Sequence, residues 1–364
     1  VPVGVKDIFD TRDYPTEQGS PIFAGRMAGE DATVVARLRT SGAIILGKTV
    51  TTEFAGWTPG KTKNPRDPSR TPGGSSSGSA AAVASRMVPL ALGSQTAGST
   101  IRPGAYCGVV AYKPQFGTIS RAGGMYLAQS LDHVGLFAQS VGDIALLFDV
   151  LYGPDPEDDA TLEVQAHEVS SRLAESAAQH RLAFAPTPFW DSADVSTQTV
   201  FESYCEAQSV PTVALPEDFA QANEWLSCIS AVETAANFVD IYPAHADQVS
   251  DAFRADLERG LGTRAVDYVY AKEGQAYLRQ AVSELFQTYD AFITPAASGE
   301  APEGLETTGD PVFCSAWTLL GFPAISVPMF KGDNGLPLGM QLIGRPGGDG
   351  RLLQVAEQLL GSKM

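Results

Sequence analysis

Short apolar, β-prone runs alternate with helical stretches along the whole chain, and that alternation restricts the fold to an α/β protein with a parallel or mixed sheet flanked by helices. The spacing predicts strands over Val1–Lys6, Ala43–Gly47, Val88–Gly93, Val109–Tyr112, Arg181–Ala185, Ala291–Thr294, Ala324–Val327 and Leu338–Ile343. It predicts helices over Asp31–Ser41, Ser77–Arg86, Val141–Leu151, Thr197–Ala207, a pair across Gln221–Tyr242, Arg264–Thr288 and Asp349–Leu360, with Asp31 and Asp349 as N-caps. The acidic, loosely patterned stretch Asp155–Ala177 reads as an excursion inside a single catalytic domain of 364 residues rather than as a boundary.

Composition removes several classes of function. The net charge is −17 and the 25 Lys and Arg form no basic run, so a row of phosphates has nothing to meet and nucleic-acid binding is not expected. No segment carries the roughly 18 uninterrupted apolar residues that a membrane span needs. Cys107, Cys205, Cys228 and Cys314 are dispersed and form no CxxC pair, which excludes a zinc knuckle or redox motif and is the pattern of a reducing cytoplasm. Neither a metal nor a cofactor is implied.

Chemistry gathers in two serine-bearing segments. The first is Thr71-Pro-Gly-Gly-Ser-Ser-Ser-Gly-Ser79, ahead of an alanine run. No lysine follows Gly78, so it is not a phosphate-binding loop. It contains G-x-S-x-G centred on Ser76, the form of a nucleophile elbow, although a Gly/Ser run produces that pattern cheaply. Such an elbow needs an imidazole base; His167, His180 and His245 read as solvated and His133 as a turn residue. The second segment, Ser94-Gln-Thr-Ala-Gly-Ser99, follows an apolar strand, which puts Ser99 where α/β active sites collect. Small residues at Ala97 and Gly98 leave backbone N–H groups open to an oxyanion.

Lys6 offers a base. It ends an apolar strand in Val-Pro-Val-Gly-Val-Lys-Asp, sharing a face with Pro2 and Gly4 while Asp7 points away. A lysine held among apolar groups loses its proton near neutrality; the alternative is a strand-end lysine that reaches solvent.

Together, Gly4-Val-Lys-Asp7, Pro72-Gly-Gly-Ser-Ser-Ser-Gly-Ser79 and Gln95-Thr-Ala-Gly-Ser99 with Arg102-Pro103 resemble the signature blocks of the amidase signature family, in the family's order. The likeness continues through Ser130–Gly135 and Pro323–Arg345, and the bacterial malonamidase-like branch is the most similar. The resemblance implies a mixed sheet flanked by helices on both faces and a Ser-cisSer-Lys triad: Ser99 as nucleophile, Ser75 as bridge after a cis peptide bond, Lys6 as base. It implies an oxyanion hole from Thr96, Ala97, Gly98 and Ser99, and hydrolysis of a small-molecule amide or carbamate through an acyl-enzyme. The same triad also serves amidotransferase subunits of multi-subunit complexes, and a catalytically silent binder is a further alternative.

Gln95 stands where the family usually has Asp, Ala97 where it has Gly, and Arg102 comes one residue later than usual. In the malonamidase-like branch the matching arginine holds a substrate carboxylate; bracing the loop is the alternative for Arg102. Gly74, Ser76, Met125 and Trp317 are further substrate-pocket candidates, with Trp57 and Tyr126, against the alternative that aromatic and Met side chains are core. Ser94 is placed to bond the serine network, and Asp132 to fix a turn. Family members usually carry a helical segment before the lysine strand, which this sequence lacks; a homodimer is possible.

Overall fold

The computed structural model describes residues 1–163, 169–173 and 180–361. One nine-stranded mixed sheet organises them: β1 (Pro2–Lys6), β2 (Ile44–Thr49), β3 (Leu90–Gln95), β4 (Val110–Lys113), β5 (His133–Ala138), β6 (Leu182–Phe184), β7 (Ala291–Pro295), β8 (Ala324–Lys331) and β9 (Pro337–Gly344), in the order β2-β1-β3-β5-β4-β8-β9-β7-β6. β1 pairs in parallel with β2 and β3, so both β1 and β3 end at one edge; β5 pairs antiparallel to β3 and therefore begins there.

The helices are α1 (Thr33–Thr40), α2 (Ser77–Ala84), α3 (Ile101–Cys107), α4 (Val141–Leu151), α5 (Val195–Ala207), α6 (Ala222–Phe238), α7 (Tyr242–His245), α8 (Asp251–Gly262), α9 (Ala265–Leu285), α10 (Val312–Leu319) and α11 (Asp349–Gly361). Strand alternation divides the core. Val3 and Val5 of β1 join Val34 of α1, Ile144 and Phe148 of α4, and Leu352 of α11. A second cluster packs Trp225 and Ile229 of α6, Leu278 of α9 and Trp317 of α10 against Phe292 of β7. Helix α6 packs on both α8 and α9, and α6 and α8 form a cap over the cavity beside the edge where β1 and β3 end.

Two expected N-caps are corrected. Helix α1 starts at Thr33 after Ala32, and Asp31 instead accepts from the Arg12 amide at 2.9 Å and pairs with Arg39 at 3.0 Å. Asp349 is the first residue of α11, and its buried carboxylate accepts from Tyr112 Oη at 2.5 Å and the Gln115 amide at 3.0 Å. The pair of helices expected across Gln221–Tyr242 is one long helix, α6, with the short α7 opening only at Tyr242. His133 is not in a turn: it opens β5, buried, its ring edge-on to Phe116. His167 lies outside the described residues, as does part of the acidic excursion.

Helix α3 carries the segment after Ser99 onto the sheet. Pro103 is tolerated because it sits in the first turn, where its missing N–H would have no helical partner. Gly104 lets the helix lie directly on β4: a Cβ there would stand 2.2 Å from Ala111 Cβ. Gly104→Ala is therefore expected to lower stability by roughly 1–3 kcal/mol through overpacking. A denaturation midpoint equal to that of the parent protein would refute the close approach.

Candidate active site

Lys6 ends β1 with no exposed surface. Its Nζ donates to Ser75 Oγ at 2.6 Å and to Ser94 Oγ at 2.8 Å, so two hydroxyls and no carbonyl hold it. Burial drives its pKa down from the ordinary lysine value to about 7, and the charge of Asp132 offsets part of that fall. Asp7 points elsewhere and pairs with Lys48 at 3.1 Å.

Ser75 comes from the Gly/Ser stretch. Gly73 turns the chain at φ 82°, a conformation open to glycine, where a Cβ would sit 2.8 Å from Pro103 Cα. The Gly74–Ser75 bond that follows is cis. Ser76 does not face the cavity: its Oγ donates to the Ser94 carbonyl at 3.1 Å and accepts from the Ser94 amide at 3.2 Å, stapling α2 to β3. Its amide reaches the Ser99 carbonyl at 3.3 Å, tying both serine segments together. The elbow centred on Ser76 is thereby ruled out by geometry.

Ser99 is half-buried on the wall of a cavity of about 410 Å³, in the loop between β3 and α3. Gln95 shapes that loop. Its Oε1 accepts the amides of Thr100 and Ile101, and its Nε2 donates to Thr318 Oγ1, whose hydroxyl donates to the Ala97 carbonyl at 2.6 Å. The N–H groups of Ala97, Gly98 and Ser99 find no acceptor among the described residues. Three such donors at the start of a helix suit a negative oxygen. Ala97 and Thr96 line the cavity with them.

Arg102 also lines it, although only 2% exposed. One Nη2 donates to the Gly74 carbonyl at 2.8 Å and Thr308 Oγ1 at 3.1 Å, while Nε and Nη1 have no partner among the described residues. Desolvation lowers its pKa. Gly74 thus contributes its carbonyl rather than a contact surface.

The remaining candidates divide. Trp57 lines the cavity. Trp317 is corrected: it has no exposed surface and packs against Phe219 and Phe292 in the core. Met125 and Tyr126 face a narrow crevice behind the wall, where Tyr126 stacks under Arg121. Several wall residues carry no sequence signal. Ala55, at φ 56° after Phe54 at φ 47°, brings a turn against the cavity at a cost of about 1–3 kcal/mol per residue. Leu226, Ala231 and Thr234 of α6 and Phe253 of α8 complete its apolar side, with Asp256, Arg259 and Asp310 also on its wall. Among the described residues no cluster of His, Cys, Asp or Glu could hold a metal ion, and no helix is long and apolar enough to cross a membrane.

The Amidase family model matches residues 1–353. The chain belongs to the amidase family. It is 32% identical to a glutamyl-tRNA(Gln) amidotransferase subunit of Koribacter versatilis, covering 98% of this chain and 83% of the relative. It is 33% identical to the corresponding subunit of an Anaeromyxobacter species, covering 99% and 82%. Among solved structures it superposes at TM-score 0.93 and 29% identity on a vestigial protein complex tied to the origins of an s-triazine catabolic enzyme, covering 100% of this chain and 84% of the other. It superposes at TM-score 0.87 and 26% identity, with the same coverage, on 6-aminohexanoate cyclic dimer hydrolase complexed with substrate. The sheet and its flanking helices are those of amidase signature enzymes.

The lowered pKa of Lys6 couples the chain's stability to pH. Between about pH 7 and 10.5 the unfolded chain holds a proton at Lys6 that the folded chain has released, so stability rises with pH across that window. Lys6→Met should remove the Lys6 share of that rise, roughly 3–5 kcal/mol, and leave the share of the likewise buried Lys113. Urea titrations at pH 6, 8 and 10 measure it; an equal slope in both proteins would mean Lys6 is not held neutral.

Proposed function

We propose that the chain hydrolyses the C–N bond of a small-molecule amide or carbamate through an acyl-enzyme on Ser99. The observation that carries the reading is the 2.6 Å contact between the buried Lys6 amine and Ser75 Oγ, next to a nucleophile segment with free amides on a closed-in cavity. Neutral Lys6 takes the Ser75 hydroxyl proton, Ser75 Oγ takes that of Ser99, and Ser99 Oγ attacks the carbonyl carbon. The carbonyl electrons move onto oxygen, where the amides of the Ala97–Ser99 loop stabilise the oxyanion, each by about 3 kcal/mol. Collapse breaks the C–N bond while the relay, run in reverse, delivers the proton to the leaving nitrogen. Water activated by the same relay then releases the acyl group.

Arg102 supports a substrate with an anionic group. A buried guanidinium with Nε and Nη1 unpartnered is costly, and an anionic group of the substrate beside it would supply an acceptor and a counter-charge. A second reading, an amidotransferase subunit using ammonia released by the same triad, is favoured by the names of the 32–33% identical relatives.

Ser99→Ala should abolish both turnover and covalent labelling by a fluorophosphonate while leaving the fold intact. Labelling that survives Ser99→Ala would overturn the assignment. Among dicarboxylic monoamides, anilides, carbamates and glutamine, turnover without added protein supports the hydrolase. Activity on glutamine alone, raised by co-purifying subunits, supports the amidotransferase.

A further inference from the structure

Each time the proposed relay runs, the Lys6 amine becomes an ammonium on a side chain with no exposed surface, and such a charge needs a counter-charge. The sheet topology brings one. Because β5 runs antiparallel to β3, with His133 opposite Gln95, the residue ahead of β5 arrives at the edge where β1 and β3 end. That residue is Asp132, 8% exposed.

Its two oxygens are fully engaged. Oδ1 accepts from Thr96 Oγ1 at 2.5 Å, and Oδ2 accepts from the amides of Leu127 at 2.8 Å and Ala128 at 3.0 Å. Thr96 opens the loop that carries the free amides, and Leu127 is a wall of the cavity. The Leu127 carbonyl in turn accepts from Thr234 and Asn237 of α6, both at 3.1 Å. One carboxylate therefore links the nucleophile loop to the wall that the helical cap leans on.

We propose that Asp132 is a positioning residue: it holds the Thr96 loop and the Leu127 turn in register and stabilises the ammonium that Lys6 becomes during acylation. This rests on the Ser99 chemistry proposed above. Among the described residues, the charged and titratable groups around Asp132 are Lys6, Tyr126, His133 and Arg121, whose guanidinium is paired with Asp158 at 2.7 Å and whose Nη1 reaches the Asp132 carbonyl at 3.4 Å. Lys6 itself faces Ser75, Ser94 and the charge of Asp132. Burial raises the Asp132 pKa to about 6, which leaves the carboxylate ionised at neutral pH.

Asp132→Asn separates the charge from the shape. The amide oxygen can still accept from Leu127 and Ala128, and the Thr96 hydroxyl can turn to accept from the amide nitrogen. Without the carboxylate, the Lys6 ammonium is less stable, so the acid limb of the pH profile should move down by about one unit. The plateau kcat should fall about tenfold with KM changed less than twofold, because support is lost only as the ammonium forms. The limb is read on hydrolysis and on the second-order rate of fluorophosphonate labelling at Ser99, and Asp132→Glu should restore it. If Asp132→Asn does not fold, Thr96→Val carries the test: losing that hydroxyl donor raises the Asp132 pKa, which moves the limb in the same direction. A folded variant with the limb unmoved overturns the inference. Absence of Ser99 labelling in the parent protein would instead overturn the reading it rests on.

Discussion

A lysine amine buried at the end of β1 is the constraint on which the site depends. Water would restore its ordinary pKa, so the surrounding elements must exclude it, and the chain does so with strands and hydroxyls rather than with a carboxylate in contact. Lys113 shows why burial alone is not the decisive feature. It too is fully buried with a pKa lowered to about 7, yet its Nζ donates to the backbone carbonyl of Phe322 at 2.5 Å. Carbonyls can only accept, so Lys113 has no proton to receive from them. Hydroxyls both donate and accept, and of these two lysines only Lys6 stands at the end of a chain along which a proton can travel.

The positions of the hydroxyls follow from backbone constraints. Gly73 provides a left-handed turn, Ser76 staples the first segment to β3, and Gln95 caps α3 where the family more often has an aspartate. An amide can do what a carboxylate cannot at that position: its oxygen takes two helix amides while its nitrogen reaches Thr318. Through Thr318 the same side chain also fixes Ala97.

What is legible in the sequence is what leaves a local periodic or compositional mark. Eight strands and the amphipathic helices follow from apolar spacing, and the three blocks around Lys6, Ser75 and Ser99 are short, ordered and chemically specific. β5 leaves a weaker mark because His133 opens it and Gly135 interrupts its apolar run, not because it is buried, since β4 and β7 are buried throughout as well. α10 is hidden because burial on nearly all sides leaves it no polar face, and α3 because Pro103 and Gly104 look like a turn. The stripe Phe253, Leu257, Gly260 of α8 is a helical signal, though only three residues deep. Pocket residues are obscure for a different reason. Trp317 and Ser76 are ordinary in composition, and only the tertiary arrangement decides that the first is core and the second a staple; Ala55 and Leu226 reach the cavity from distant segments that share no motif.

Arg102 holds the carbonyl of Gly74, one peptide away from Ser75, and also forms part of the cavity. That end of the cavity is therefore mechanically joined to the Ser75 segment, and any replacement of the arginine disturbs both. The cap's tie is longer: Leu226, Ala231 and Phe253 touch the cavity without bonding to Lys6, Ser75 or Ser94, and α6 reaches the Thr96 loop through the Leu127 carbonyl and Asp132. On the proposed function, changes at Leu226, Ala231 and Phe253 reshape the cavity without touching the lysine and its hydroxyls, while the arginine end changes only together with the segment it braces.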